Sequence, residues 1–182
     1  MDRIDYRLAF ELAPVGLCLS RDRRIVDCNA LMCEVFGVPR EALVGESFQV
    51  LYPSADEYER LGARIAPILN TRGRYADDRI MKRADGDLFW CHVSGRAINR
   101  ASPHEAGIWT FEDLSARRPV KAELTPRERE VAARLLDGLT SKEIGKALAI
   151  SHRTVEIYRA RLMRKYQANT TADLVHKLMA GV

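Results

Sequence analysis

No apolar run in this chain is long enough to cross a bilayer. The longest uninterrupted stretches in its 182 residues are only a few residues long, whereas a spanning helix needs about 20. Charged residues, including Asp2, Arg3 and Asp5, interrupt the first turns, so the charged-then-apolar order of a secretory leader is missing. Both absences predict a cytoplasmic protein without membrane contact.

Cysteine is scarce, and no C-x-x-C pair is present. The four cysteines, all in the first half, are Cys18, Cys28, Cys33 and Cys91. This distribution argues against a disulfide framework and against a zinc site, and it predicts small buried side chains. A thiol switch is the alternative for Cys28 and Cys33.

The patterns of an enzyme are missing too. The sequence contains no nucleophile, base and acid set, no phosphate-binding loop and no cluster with metal-ligand spacing. We therefore expect no catalytic residue and no metal site.

An excess of positive charge is present only in the last third. Residues 1–118 carry 17 Lys and Arg against 18 Asp and Glu, a net of −1, whereas residues 119–182 carry 12 against 7, a net of +5. A compact basic module at one end is the electrostatic footprint of nucleic-acid binding. A solvated basic surface has the same balance, so charge alone does not decide between them.

Short apolar runs alternate with turn signals in the first half. The predicted order is strands at 15–20 and 24–28, helices at 29–36, 40–44 and 53–69, and strands at 75–83, 88–99 and 107–113. Gly37 is expected to end the first helix, Pro67 to bend or end the long one, and Asp85-Gly86 to form a hairpin turn. This order predicts an α+β domain, an antiparallel five-stranded sheet with helices on one face.

The pattern resembles a PAS sensor domain across about residues 5–118. The residues that carry the resemblance are Ala13-Pro14-Val15-Gly16-Leu17, Asp27-Cys28-Asn29-Ala30, Phe36-Gly37, Gly45, Asp85-Gly86 and the closing Phe111-Glu112-Asp113-Leu114-Ser115-Ala116-Arg117-Arg118. The resemblance implies a space between helices and sheet for haem, flavin, a small organic ligand or nothing.

The ligand itself stays unidentified. A covalent flavin needs an Asn-Cys-Arg-Phe type motif, where this chain reads Gly45-Glu46-Ser47-Phe48, and a haem PAS typically takes its histidine from the central helix, where residues 54–70 contain none. Haem and covalent flavin are therefore disfavoured. A small apolar or aromatic ligand, or pure dimerisation, remains.

The strand at 88–99 has alternating character. Phe89, Cys91 and Val93 are predicted to face the core, whereas Trp90 and His92 are predicted on the outer sheet face. We expect these two outward residues to contribute to dimerisation, and His92 to be a surface residue and not a ligand to a cofactor.

Four short helices are predicted in the last third, after a linker at 119–123. Thr125 is expected to cap the first with Glu128 closing a capping box, Ser141 to cap the helix at 142–148, and Ser151 to cap the third. Thr170 is expected to open the fourth, which reaches about residue 180. The predicted domains are therefore 1–118 and 124–182, the second an all-α four-helix helix-turn-helix domain.

The third helix has two different faces at about 100° per residue. Val155, Leu162 and Tyr166 share one apolar sector. The opposite sector holds Arg153, Ile157, Ala160 and Arg164, with Glu156 and Arg161 at its edges. In a major groove, arginine can bond guanine or phosphate, a small residue permits close approach, and isoleucine can contact a thymine methyl.

The last third resembles the LuxR-type DNA-binding domain across residues 121–182. The matching residues are Leu124-Thr125-Pro126-Arg127-Glu128-Arg129-Glu130-Val131, Gly138, Ser141-Lys142-Glu143-Ile144, Leu148, Ile150-Ser151, Thr154-Val155 and Arg164-Lys165. The resemblance implies that the third helix reads bases with Glu156, Ile157 and Ala160. It also implies contacts with the backbone or phosphates of the DNA. The residues predicted to make them are Lys142, Arg153, Thr154 and Lys165.

Two positions depart from the pattern of that family. Tyr158 stands where many relatives have histidine, and Gly145 replaces a usual alanine. Neither change removes a predicted DNA contact. We expect Gly145 to loosen the second helix by about 1 kcal/mol relative to alanine.

The fourth helix has two apolar faces, although a small bundle buries only one. One face holds Leu174 and Leu178, and the other holds Ala172, Val175 and Met179. The second face can pair with its copy in a homodimer, as the resemblance also implies, or be covered by the linker or the sensor domain.

These expectations describe a transcription regulator that binds double-stranded DNA as a dimer under the control of a sensor domain. A protein similar to region 4 of sigma factors and a ligand-free PAS interaction module are the alternatives. RNA polymerase is a further candidate partner. A response regulator is disfavoured because residues 1–118 predict hairpins where a receiver domain has parallel strands.

Overall fold

The computed structural model describes residues 5–117 and 124–180. The predicted linker at 119–123 lies outside the described residues, so the domain boundaries remain predictions. Among the helices of the two described ranges, none is long and apolar enough to cross a membrane.

The elements follow the predicted order. Residues 5–117 contain α1 (Tyr6–Glu11), β1 (Gly16–Arg21), β2 (Arg24–Cys28), α2 (Ala30–Phe36), α3 (Arg40–Leu43), a 3₁₀ turn (Phe48–Leu51), α4 (Ala55–Arg72), β3 (Arg74–Lys82), β4 (Leu88–Ala97) and β5 (Ala106–Asp113). Residues 124–180 contain α5 (Pro126–Leu136), α6 (Ser141–Leu148), α7 (His152–Lys165) and α8 (Thr171–Ala180).

The five strands form one antiparallel sheet in the order β2-β1-β5-β4-β3. β1 pairs with β2 and with β5, so the first and last strands of the domain are neighbours. The hairpin between β1 and β2 turns at Asp22 and Arg23, whose φ angles are 49° and 61°. Two successive left-handed residues match the twist of the flanking strands. The predicted hairpin is therefore confirmed.

Asn29 fastens the first helix to the sheet. It is fully buried, and its side-chain oxygen accepts hydrogen bonds from the amides of Met32 at 3.0 Å and Leu17 at 2.9 Å. Its Nδ2 donates to the carbonyls of Phe10 at 3.2 Å and Val15 at 3.0 Å. One side chain thus caps α2 and also holds the chain between α1 and β1.

Helix α4 runs further than the sequence predicts. Pro67 was expected to bend or end it; the helix does not end there but continues to Arg72, and Gly73 caps it with φ of 70°. The missing proline amide costs a helical hydrogen bond. Ile65 and Leu69 are both buried on either side of the proline, so packing of this face holds the helix together past it.

The predicted exposure of Trp90 on β4 is wrong. Alternation placed Trp90 and His92 on an exposed face, but Trp90 is fully buried and His92 is half-buried. The rule assumes that one face of a strand lies in water along its whole length, whereas Phe89, Trp90 and Cys91 are buried in succession. Covering an indole removes a large apolar area from water. Trp90 is therefore buried, and its part in dimerisation stays a prediction.

The helices of residues 124–180 begin at the predicted caps with one exception. Thr125 and Glu128 form the expected capping box on α5, and Ser151 caps α7. Helix α6 is capped by Thr140 and not by Ser141. The reason is that Thr140 forms a capping box with Glu143, whose carboxylate accepts a hydrogen bond from the Thr140 amide at 2.8 Å. Ser141 has no acidic residue three positions later, so it cannot form this pair.

Candidate DNA-binding surface and sensor pocket

A tight turn joins α6 to α7. Ala149 ends α6 in a left-handed conformation with φ of 53°, and the Ile150 amide donates to the Gly145 carbonyl at 2.9 Å. The next residue is Ser151, whose hydroxyl accepts a hydrogen bond from the Thr154 amide at 3.0 Å. This geometry is a helix-turn-helix, with α7 as its second helix.

Gly145 lets the turn fold back onto α6. A Cβ at this position would lie 2.8 Å from the Ile150 carbonyl oxygen and 3.2 Å from the His152 amide nitrogen, both backbone atoms. The expected loosening of α6 by Gly145 is therefore only one of two effects at this position. Its cost in helix propensity is real, but the close approach of the turn requires the absence of a side chain.

The two faces of α7 differ as the sequence indicates. Val155 and Leu162 are fully buried and Tyr166 is nearly so, whereas Ile157 is 48% exposed. The other exposed members of the predicted DNA-binding set are Lys142, Arg153, Ala160, Arg161, Arg164 and Lys165. The structure therefore gathers an exposed isoleucine, a small residue and several cations on one side of α7. Their roles toward DNA remain predictions.

Arg159, which the sequence reasoning missed, organises the edge of this face. Its guanidinium pairs with Glu156 at 2.6 Å and donates to the Ser141 hydroxyl at 3.3 Å. The spacing of Glu156 and Arg159, three residues apart on a helix, was a readable signal. The contact to Ser141 was not, since it joins two helices.

Thr154 and Lys165, which are predicted to contact the DNA backbone, both have partners within residues 124–180. The Thr154 hydroxyl lies 2.8 Å from that of Ser151. Lys165 Nζ donates to Glu128 Oε2 at 2.7 Å, which connects the end of α7 with the start of α5. Lys165 therefore has a structural role in addition to the predicted one.

The Glu128 carboxylate is the buried partner of that pair, with a side chain only 3% exposed. Burial alone would raise its pKa, but hydrogen bonds from Lys165 and Thr125 outweigh burial and hold the pKa of Glu128 below its ordinary value. The carboxylate is therefore ionised, and it stabilises the α5 start and the α7 end together.

Helix α8 buries one apolar face and leaves much of the other exposed. Leu174 and Leu178 are 0% and 1% exposed. On the second face Ala172 is exposed, Val175 is half-buried and Met179 is 48% exposed. The predicted second face is thus present on the surface, which is a requirement for dimerisation through α8.

A partly open pocket lies between the sheet and α4 in residues 5–117. Its interior space is about 40 Å³, and its lining residues are Ser20, Arg23, Phe48, Tyr52, Tyr58, Gly62, Ile65, Val93, Pro103, His104, Trp109 and Phe111. Trp109 Nε1 donates to the Ser20 hydroxyl at 3.0 Å. Gly95 makes room for this indole, because a Cβ there would lie 2.3 Å from Trp109.

Arg23 closes one side of the pocket. Its guanidinium carbon lies 3.8 Å from the centre of the Tyr58 ring, and the group also donates to the Tyr58 carbonyl at 3.2 Å. A Cβ on Gly62 would lie 2.4 Å from this guanidinium. An isolated glycine inside the helical pattern of α4 was the signal in the sequence, and its reason is this contact.

His104 is one of the polar groups of the pocket that the sequence reasoning did not select. Burial first, and the positive charge of Arg23 second, hold the pKa of His104 below its ordinary value. The imidazole is therefore neutral near pH 7, with one nitrogen able to donate and the other able to accept. His104 lies in the loop before β5, where no periodic pattern points inward.

Together these features define a PAS-type sensor fold and a helix-turn-helix domain in one chain. Residues 14–116 match the PAS domain family, and residues 122–178 match the family of bacterial regulatory proteins called luxR. The chain therefore belongs to the luxR-type regulators that carry a PAS domain.

Known proteins resemble the two parts separately. The crystallised PAS domain of a LuxR-family transcriptional regulator from Burkholderia thailandensis, in complex with ethanol, is 62% identical, covers 62% of this chain and 99% of its own, and has a TM-score of 0.60. The regulatory protein FixJ of Bradyrhizobium diazoefficiens is 42% identical over 83 residues, 46% of this chain. The chain spans 39% of FixJ and 22% of the sensor protein TdiS of Thauera aromatica.

The two-part architecture also has a solved counterpart. The VqmA dimer of Vibrio cholerae covers 98% of this chain and 89% of its own, with 21% identity and a TM-score of 0.56. At this identity the likeness shows the fold alone. The predicted arrangement of a PAS fold followed by a LuxR-type helix-turn-helix is confirmed.

Proposed function

We propose that the protein is a transcription regulator that binds an operator through α7 as a dimer and responds to a small ligand in its PAS pocket. The observation that carries DNA binding is the exposed face of α7, with Arg153, Ile157 and Ala160 standing opposite the buried Val155 and Leu162. Phosphate contacts supply affinity, and contacts with base edges supply specificity. Work on DNA would place the protein in the bacterial cytoplasm.

The test measures binding of the full chain to duplex DNA by fluorescence anisotropy over a range of salt concentrations. Affinity should fall steeply as the salt concentration rises, because Lys and Arg side chains that contact phosphates displace the counterions of the DNA. Arg153→Ala should weaken binding to every sequence, whereas Ile157→Ala should reduce the preference for the operator over random DNA.

Arg96→Ala on β4 is the matched control, since Arg96 is an exposed arginine outside the helix-turn-helix. It should leave the affinity unchanged. Binding that is insensitive to salt would contradict the proposed DNA-binding surface. An equal loss of DNA affinity in Arg96→Ala and Arg153→Ala would also contradict it.

The ligand is a small uncharged organic molecule with a polar group. The pocket's 40 Å³ has room for about three waters at roughly 10–15 Å³ each, which suits a short alcohol or a molecule of similar size. His104 and Ser20 supply polar contacts within aromatic walls. The ethanol complex of the 62%-identical PAS domain supports this size and chemistry.

Ethanol is the first probe. We expect it to raise the melting temperature of the full chain, because a ligand that binds only the folded state stabilises it. His104→Leu should abolish this increase, and His92→Leu on β4 should keep it. If ethanol stabilises both variants equally, the pocket is not its site. Regulation further requires that operator affinity changes with ligand, since a ligand shifts only an equilibrium whose states it binds differently.

A further inference from the structure

Two thiols meet at the junction of β2 and α2. Cys28 is the last residue of β2, and Cys33 lies in α2. Their Sγ atoms are 3.8 Å apart. The chain reverses between them at the buried Asn29 cap, which brings a strand end and a helix face together.

The two thiols differ in their access to solvent. Cys28 is fully buried, and this burial is the main reason that its pKa is raised to about 12. Cys33 is only half-buried. A dissolved oxidant therefore reaches Cys33 first, and the thiol next to it is Cys28.

A third cysteine competes for Cys28. Cys18 on β1 stands directly opposite Cys28 in the antiparallel register. Cys18 is also fully buried, and burial raises its pKa far above the ordinary range. Its thiol lies 3.4 Å from the Leu19 carbonyl oxygen. Access therefore favours a reaction that begins at Cys33 over one that begins at Cys18.

We propose that Cys28 and Cys33 are a reversible redox site that closes to an intramolecular disulfide when a peroxide oxidises it. A disulfide is about 2.05 Å long, so the sulfur atoms must approach by roughly 1.8 Å. Neither thiol belongs to the pocket lining or to the α7 face described above, so the site is separate from the proposed ligand and DNA contacts.

The chemistry balances in two steps. The Cys33 thiolate attacks one oxygen of hydrogen peroxide, an S–O bond forms, the O–O bond breaks, and the leaving hydroxide takes up a proton to become water. The Cys28 sulfur then attacks the sulfenic acid at Cys33, the S–S bond forms, the S–O bond breaks, and a second water leaves with the Cys28 proton. Two thiols lose two electrons, and one peroxide becomes two waters.

Closure acts on the attachment of the N-terminal segment. Asn29 is adjacent to Cys28, caps the helix that holds Cys33, and binds the carbonyls of Phe10 and Val15. Approach of the two sulfur atoms therefore changes the position of the side chain that holds the segment between α1 and β1.

Peptide mapping of the full chain tests the site directly. Cleavage after arginine and lysine leaves both thiols in one peptide, 25–40, and leaves Cys18 in another, 8–21. The protein is treated with hydrogen peroxide, its remaining thiols are alkylated, and it is digested without reduction. Peptide 25–40 should then be lighter by two hydrogens and carry no label, and dithiothreitol should restore two labels.

Two variants make the assignment specific. Cys33→Ser should prevent disulfide formation, whereas Cys91→Ser on β4 should leave it unchanged. Any of four results would overturn the proposal: a link between peptides 25–40 and 8–21, a disulfide between two chains, sulfinic acid at Cys33 without a disulfide, or two free thiols after treatment.

Discussion

The glycine at residue 145 is needed for space and not for flexibility. Its φ is not in the left-handed region, unlike that of Gly138 at 76°. What sets it apart is the backbone of the following turn, which occupies the place of a side chain. At the scale of a residue, we therefore expect the close approach of this turn to outweigh the gain that helix propensity alone predicts for alanine.

Gly145→Ala is expected to lower the melting temperature. Helix propensity alone would favour alanine by about 1 kcal/mol, but the new Cβ must displace the Ile150 carbonyl, and a well-packed backbone resists this displacement. Thermal unfolding followed by circular dichroism measures the change. Lys146→Ala, at an exposed position of the same helix, is the control, and it should have almost no effect. A higher melting temperature for Gly145→Ala would mean that the turn adjusts freely.

The ion pair between Glu128 and Lys165 acts at the scale of elements. It connects two helix ends that lie 37 residues apart in sequence, and the same carboxylate caps α5 through the Thr125 amide at 2.8 Å. A buried carboxylate with three polar contacts is costly to leave without its cation. The pair therefore holds α7 in place from its C-terminal end, opposite the turn that holds its N-terminal end.

This arrangement predicts how stability depends on pH. The pKa of Glu128 is lower in the folded state than its ordinary value of 4.5, so its contribution is complete above about pH 4.5 and is lost as the pH falls through the lower folded value. Glu128→Gln should lower the free energy of unfolding at pH 7 by about 1–3 kcal/mol.

Urea unfolding of the helical region at pH 7 and at lower pH measures both effects. The variant should lose less stability on acidification than the natural protein. Glu130→Gln is the control, because Glu130 pairs with Arg127 on the same helix at 2.8 Å. Equal acid sensitivity of the natural protein and Glu128→Gln would assign the pH dependence to other carboxylates.

At the scale of the whole molecule, the proposed operator contact depends on two copies of the chain. A dimer that reads two half-sites places its recognition helices about 34 Å apart. The exposed face of α8, with Ala172, Val175 and Met179, is our candidate for the contact between copies. With Trp90 buried, this face is the stronger of the two predicted dimerisation surfaces.

Met179→Glu should weaken the dimer at least about tenfold, or about 1.4 kcal/mol, because it places a charge in a contact that excludes water. Analytical ultracentrifugation of the full chain over a range of concentrations measures this change. His176→Glu introduces the same charge at another exposed position of α8 and should leave the dimer intact. If both variants dimerise as the natural protein does, the contact lies elsewhere, and operator affinity should then be equal in all three.

Local signals were sufficient for most elements. The Ser151 cap, the Gly37 stop, the Thr125 capping box and the period of α7 each depend on residues within about four positions of one another, so the sequence determines them by itself. The same holds for the order of strands and helices, and hence for both families. The exact ends moved, as at α4 and at the Thr140 cap, and the 3₁₀ turn at Phe48–Leu51 has no counterpart among the predicted elements.

Tertiary structure decided whatever depends on residues far apart in the chain. No periodic pattern in the sequence predicts four features of the structure. They are the burial of Trp90, the fit of Arg23 against Gly62, the position of His104 in the pocket, and the pairing of Lys165 with Glu128. Packing determines which face of a strand is dry and which polar group gains a partner. The sequence therefore determined which protein this is by class and where its helices begin, and the fold decided which side chains form the pocket and which remain free for DNA.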